Sequence, residues 1–401
     1  MINPDVLDAI PFIIQSEGNW DSMRTAITEI ASTAGINGII ALACESNGMV
    51  PDSFDKFLRN LSVPIFGGVF PKLIANSEYL DHGNIVLGLK STLDVYIVPS
   101  LSDPALDYDE WLAKTIPTKS MPEAKTMFVL VDGLAPRIGA LIDSLFNTFG
   151  LQGNFIGGGA GSLTTQNMHC LITAQGVISD AAILAIPKLH SQVSVAHGWV
   201  PIAGPFEVTS SENNVIITLD WEPALEVYRH VLEDRTGFSF NFSDVSQAYP
   251  FGMARLNMEF VVRDPIAVRH DGGLVCVGDV PCGSLVHIMN GNHSSLLSAS
   301  TRVRTMVDSN SKAASESAVD IAMDCISRAL FLGDKINNEI DSLHHAPRPL
   351  IGAFTLGEIA NSGQDYLEFH NKTVVIATIW ENETVQGSKR VSSQRSKAHL
   401  H

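Results

Sequence analysis

Three sets of residues have types and spacing that could do chemistry. The run Gly157-Gly158-Gly159-Ala160-Gly161 follows the apolar pair Phe155-Ile156. Freed from Cβ atoms, such a run can aim several backbone N–H groups at one anion, a carboxylate or a phosphate. It lacks the Lys-Ser/Thr of a P-loop, and no helix start follows it as a dinucleotide fingerprint requires. The alternative is a tight turn that permits close backbone packing. Arg328 and Glu358 each follow an expected strand near one sheet edge, which is where α/β folds place ligands. A guanidinium grips a carboxylate through two hydrogen bonds and a glutamate accepts from an ammonium, so the two suit a zwitterion, or else pair with each other. Cys325 is a thiol whose pKa Arg328 could lower, although its apolar strand context fits an inert buried cysteine better. Zinc chemistry finds no support, because there is no Cys-x-x-Cys and no histidine pair on one helical turn with a third ligand.

The elements that must position these groups repeat. Asp21 is the expected cap of a first helix carrying Met23, Ile27, Ile30 and Ala34 at three- and four-residue steps up to Gly35. Gly38–Cys44 is an apolar run short enough for a buried strand. A helix with Phe54, Phe57, Leu58 and Leu61 follows, then Ile65-Phe66 and a glycine turn at Gly67-Gly68. The same order returns as a strand Met127–Asp132, a helix Pro136–Phe149 and the run Gly157–Gly161. It returns again as a strand Val319–Cys325, a helix with Ile336, Ile340 and Leu343, and Ile351-Gly352. Three strand-loop-helix modules imply an α/β fold of mixed sheets with helices packed on them.

Between the second and third copies lie β signals, at 180–186, 192–199, 206–219, 259–264, 272–277 and 284–289, broken by Gly, Pro, Asn and Asp turns. They imply a strand-rich layer. One helix interrupts it, with Asp220 as the expected cap, Pro223 in its first turn and Leu225, Tyr228 and Leu232 on one face. A boundary near Thr236 divides the chain into an N-terminal domain, 1–235, and a C-terminal domain, 236–385, with a disordered basic tail at 386–401.

The 401 residues carry 26 basic and 43 acidic side chains, a formal charge of −17, and are 45% hydrophobic. The chain therefore has enough apolar surface to fold, and its charge repels phosphate backbones and anionic lipid heads, which excludes nucleic acid as a partner. No window is long and apolar enough for a membrane span, so no integral membrane segment is expected. Five widely spaced cysteines, mostly in apolar runs, read as reduced thiols of a cytoplasmic protein.

Six segments together resemble the FIST family, in both its N-terminal and C-terminal parts. They are Phe155–Gly161, His197-Gly198-Trp199-Val200-Pro201, Leu219-Asp220 with Pro223-Ala224-Leu225, Cys325 with Arg328, Phe354-Thr355-Leu356-Gly357-Glu358-Ile359, and Phe369-His370-Asn371-Lys372-Thr373. The resemblance runs from about Gly35 to Trp380. It implies a non-catalytic sensory module of signal transduction that binds a small ligand, with amino acids one class. The chain is also similar to the stand-alone, nitric-oxide-sensing branch, which binds haem and modulates histidine kinases or cyclic-di-GMP enzymes.

Haem would need an apolar slot and one protruding imidazole. Of thirteen histidines, His197 is the first choice for the iron. It shares strand parity with Val193 and Val195, and Gly198 and Trp199 would leave room and a flat aromatic wall. The alternative is a core histidine satisfied by the backbone. The expected binding set is Gly157, Gly158, Gly159, Ala160, Gly161, Trp199, Arg328, Phe354, Gly357 and Glu358. Two other readings stand beside the haem sensor: a haem-free sensor of an amino acid or other small anionic metabolite, and an enzyme using Cys325 or Glu358.

Overall fold

The computed structural model describes residues 10–381 apart from 118–125, 152, 165–167, 238, 256–258, 310–316 and 362–364; the expected tail at 386–401 lies outside the described residues. The three modules are present and alike. In each, two parallel strands form the heart of a sheet: Gly38–Cys44 with Ile65–Phe70, Thr126–Asp132 with Asn154–Ala160, and Val319–Cys325 with Leu350–Thr355. A returning strand then pairs antiparallel with the first of each pair. These are Asn84–Leu89, Ala181–Pro187 and Val374–Trp380. Every central strand is buried along most of its length, as expected of runs covered on both faces.

Each module hands the hairpin that follows its second parallel strand to another module. Lys72–Ala75 with Glu78–Leu80 extends the third sheet, Leu171–Thr173 with Gly176–Ile178 extends the first, and Glu358–Ala360 with Glu368–His370 extends the second. The three exchanges close a cycle, so no module can be lifted out without exposing sheet edges. A fourth, antiparallel sheet carries the strand-rich layer, from Val200–Glu212 to Leu285–Asn290. Hydrogen bonding crosses the expected boundary near Thr236 repeatedly: Lys72–Ala75 lies on Leu350–Thr355, His190–Ala196 on Val374–Trp380, and Val200–Glu212 on Leu285–Asn290.

Several local expectations are corrected. Gly67, Gly157 and Gly352 lie inside strands, opposite Ala41, Val129 and Ala322 of the parallel partner. A Cβ at Gly157 would stand 1.7 Å from the Val129 carbonyl oxygen, at Gly67 1.7 Å from that of Ala41, and at Gly352 1.9 Å from that of Ala322. The repeated glycine thus admits the neighbouring backbone rather than making a turn. The first helix runs Trp20–Ser32 and is capped by Asn19, not Asp21. Asn19 Oδ1 accepts from the amides of Asp21 and Ser22, while the Ser22 hydroxyl accepts from the Asn19 amide. Ala34 falls beyond its end. Asp220 does not cap Ala224–Thr236; its carboxylate accepts from the Glu207 amide and so ties the strand layer to the turn. The third module adds a helix, Ile326–Leu332, before Ile336–Leu343.

Candidate functional site

A cavity of about 900 Å³ opens where the second module, the strand-rich layer and the third module meet. One wall is the segment Gly133–Ala140, which leads into the helix Ile138–Phe149. A second part of the lining is Asp264-Pro265-Ile266 with Cys276–Asp279, whose Asp279 lies against Gly139. The floor comes from the third module and its exported hairpin: Cys325, Ile326, Ser327, Leu356, Gly357, Phe369, Asn371 and Lys372.

Two of these residues, with Asp264, are polar and buried. Lys372, 1% exposed, donates from Nζ to the Gln247 carbonyl at 3.0 Å and pairs with Asp264 Oδ2 at 3.2 Å. Burial raises the Asp264 carboxyl, and the Lys372 ammonium opposes that rise. Lys372 is fixed by its backbone as well, since its carbonyl accepts from Trp199 Nε1 at 3.0 Å and its φ of 49° is left-handed. Beside it, Asn371 is 1% exposed, and neither its Oδ1 nor its Nδ2 has a hydrogen-bond partner. Buried polar atoms are nearly always partnered, and an orphan costs roughly 1–3 kcal/mol. A donor and an acceptor on one side chain, both unpaired, on a residue of the cavity lining, give this part of the lining hydrogen-bonding capacity for a ligand or water.

Of the expected binding set, only Gly357 lines this cavity. Gly159 donates its amide to the Gly357 carbonyl and Gly161 to that of Val69, both at 2.8 Å. These two amides therefore serve strand and loop pairing, and the anion cradle is not formed from them. Gly158 pairs with Glu358 and Gly157 with Ile359 across the antiparallel ladder; Ala160 is buried core. Phe354 packs in the core of the third module. Trp199 is buried, with the edge of Phe331 and the Lys372 ammonium against its ring, and offers no open wall.

Arg328 pairs with acids other than Glu358. Fully buried, it is shared between Glu339, which its Nε and Nη2 both reach, and Asp324 Oδ1 at 3.3 Å. Its remaining hydrogens go to the carbonyls of His197, Lys372 and Leu296 and to the Ser300 hydroxyl. The spacing foretold a charged residue near a sheet end. It could not show that two acids from other elements were already waiting for it.

Glu358 is bonded to Cys325 and is not among the residues that line the cavity. Its Oε1 accepts from Thr355 Oγ1 at 2.8 Å, its Oε2 from the Thr373 amide at 3.3 Å, and the Cys325 side chain also bonds it. Burial is the largest influence and pushes the carboxyl up to about 8. Burial likewise raises the Cys325 thiol, with the Glu358 charge adding to the rise. Cys325 is consequently a neutral thiol, which is the opposite of an activated nucleophile. A carboxyl whose folded pKa lies above its unfolded one near 4.5 contributes stability in full below that lower value and loses it as pH rises through the upper one. The folded protein should therefore weaken between about pH 4.5 and pH 8 by up to about 1.4 kcal/mol per unit from this group. Urea unfolding at pH 5, 6.5 and 8 should show a shallower decline in Glu358→Gln than in the wild type; equal slopes would show that Glu358 is charged in the fold.

His197 lies just past the strand His190–Ala196 and is 6% exposed. Burial, with Arg328 adding, holds its pKa down at about 3, so the ring is neutral. Nδ1 accepts from the Trp199 amide at 2.9 Å, which leaves the proton on Nε2, 3.6 Å from Glu259 Oε2. Neither nitrogen then presents a free lone pair, and no histidine lines the cavity among the described residues. The residues at His197 do not fit haem. His230 is exposed, as its helical position implies. Among the described residues no group of three or more His, Cys, Asp or Glu could hold a metal ion, and no helix is long and apolar enough to cross a membrane.

Sequence reasoning missed Asn371, Lys372 and Asp264 as site residues. A signal existed: Lys372 stands between Phe369 and the apolar run Val374–Ile379, and a cation in such a setting requires a buried acid brought from elsewhere.

Comparison with known proteins gives two family matches. The FIST N domain matches residues 42–222, and the FIST C domain matches residues 224–361. No curated protein matches the chain.

Proposed function

We propose, from the premise that this chain belongs to the FIST family, that it senses a small zwitterionic or polar metabolite of the amino-acid class held in the cavity described above. FIST domains are sensory domains of signal transduction that bind small ligands. The observation that carries the reading to this chain is Asn371, a buried residue of the cavity lining that is unpaired at both polar atoms. The neighbouring Lys372–Asp264 pair is the charge complement of a zwitterion: the ammonium can take a carboxylate, and the carboxylate an ammonium. This pair does the work that Arg328 and Glu358 were expected to do.

Because one wall comes from the second module and the other from the strand-rich layer, a ligand touching both favours the arrangement in which they stand closest. Occupancy thereby shifts the balance between arrangements of the surface around the mouth. The receiver of that change is a signalling enzyme of the histidine-kinase or cyclic-di-GMP kind, a choice supported by the family resemblance. In this reading the chain recognises without transforming, which agrees with the protonated state of Cys325.

Isothermal titration against the standard amino acids tests the proposal. At least one should bind, and Asn371→Leu should weaken it tenfold or more, the value of one to two hydrogen bonds at ~1 kcal/mol each with desolvation added. Unchanged affinity in that variant, with its circular dichroism intact, would move the site elsewhere.

A further inference from the structure

Among the buried residues that line the cavity are the polar Asn371, Lys372 and Asp264, at or below 6% exposure, beside apolar ones such as Ile326 and Phe369. The exposed lining includes Asn213 and four aliphatics, Leu134, Leu163, Ile266 and Leu330, each of the four more than half exposed. Single exposed aliphatics are ordinary, but four in the lining of one cavity present apolar surface that water covers at a cost. They come from separate places in the chain. Leu134 and Leu163 belong to the second module, Ile266 to the strand Pro265–Val268 of the strand-rich layer, and Leu330 to the helix Ile326–Leu332. Nothing about one element's packing therefore explains why all four line one cavity. The volume of about 900 Å³ stands near the top of the ~300–1,000 Å³ range of pockets that enclose drug-sized ligands, more room than a bare amino-acid head needs.

We infer that the ligand is an amphiphile: a zwitterionic head seated on Asn371 and the Lys372–Asp264 pair, carrying an unbranched aliphatic chain that runs outward along Leu134, Leu163, Ile266 and Leu330. The inference rests on the proposed ligand site and narrows it to one chemical class, amino acids with long aliphatic side chains. Head and tail have separate duties. The floor sets orientation and recognises the charges, and the rim supplies affinity in proportion to the chain length it covers. A tail across the mouth also touches both walls at once, which a bare head at the floor does less well.

A series with a constant head and a growing chain separates these duties: alanine, 2-aminobutyrate, norleucine and 2-aminooctanoate, titrated calorimetrically into the full chain. Affinity should rise roughly fourfold for each methylene the rim covers. In the double variant Ile266→Ser, Leu330→Ser the slope along the series should flatten. Both positions are more than half exposed, so the free protein's melting temperature should stay near the wild-type value; should the variant fail to fold, the wild-type slope alone still decides. Binding that depends on Asn371 but is flat along the series overturns the amphiphile and leaves the head site standing. A rising slope indifferent to Asn371→Leu overturns it as well, since the tail would then be held without its head. No binding by any member overturns both readings.

Discussion

Replacing Arg328 with methionine should destabilise the folded chain by about 3–5 kcal/mol, the ordinary cost of removing one member of a buried ion pair. The side chain is fully buried, and its two acidic partners, Asp324 and Glu339, are buried with it. Neither Asp324 oxygen has a hydrogen-bond partner, and neither has Glu339 Oε2, so the guanidinium is what offsets their charge. Burial and the Glu339 charge already raise the Asp324 carboxyl well above its ordinary value with Arg328 in place. Without it, one or both acids must take up a proton. Arg328→Lys should recover little, because a single ammonium cannot serve two carboxylates, three carbonyls and a hydroxyl from one position. Adding Asp324→Asn and Glu339→Gln to Arg328→Met should restore part of the loss, since no buried charge is then left unpaired. Urea midpoints of the four proteins check this; an Arg328→Met variant within ~1 kcal/mol of the wild type would mean that the hub is not what holds Ile326–Leu332 and Ile336–Leu343 in place.

Gly157→Ala should be as damaging, by a different route. The added Cβ meets the Val129 carbonyl oxygen at 1.7 Å and its carbon at 2.6 Å. Both are backbone atoms of the paired strand, so no rotamer change gives relief. The two central strands of the second module would have to separate, for a loss of at least about 3 kcal/mol, the upper end of ordinary overpacking. Gly237→Ala is the control: φ is 70° and ψ 7° there, and nothing lies within 4 Å of the new atom, so only left-handed strain of about 1–2 kcal/mol applies. Gly352→Ala should follow Gly157→Ala, because the third module repeats the contact at 1.9 Å. If Gly157→Ala unfolds at no lower urea concentration than Gly237→Ala, the strands have slack and the repeated glycine needs another explanation.

The sequence by itself determined the modules. An apolar run of seven residues buried on both faces, followed by a helix with one apolar stripe, is a local pattern, and periodicity reports it wherever the partner stands. Gly38–Cys44 and Val319–Cys325 are accordingly found at their expected bounds. What tertiary structure alone decided was partnership. Whether a glycine makes a turn or clears space for a carbonyl depends on a strand 28 residues away at Gly157 and 26 away at Gly67, and local propensity favours the turn. A three-residue hairpin strand such as Glu358–Ala360 carries too little pattern to choose its sheet, and it chose the second module rather than its own. The site followed from those choices. Arg328 was legible as a buried charge but not as one already matched, whereas Asn371 became a candidate only once the folded chain had left both ends of its amide without a partner. Hydrogen-bond satisfaction belongs to the whole fold, and no window of sequence contains it.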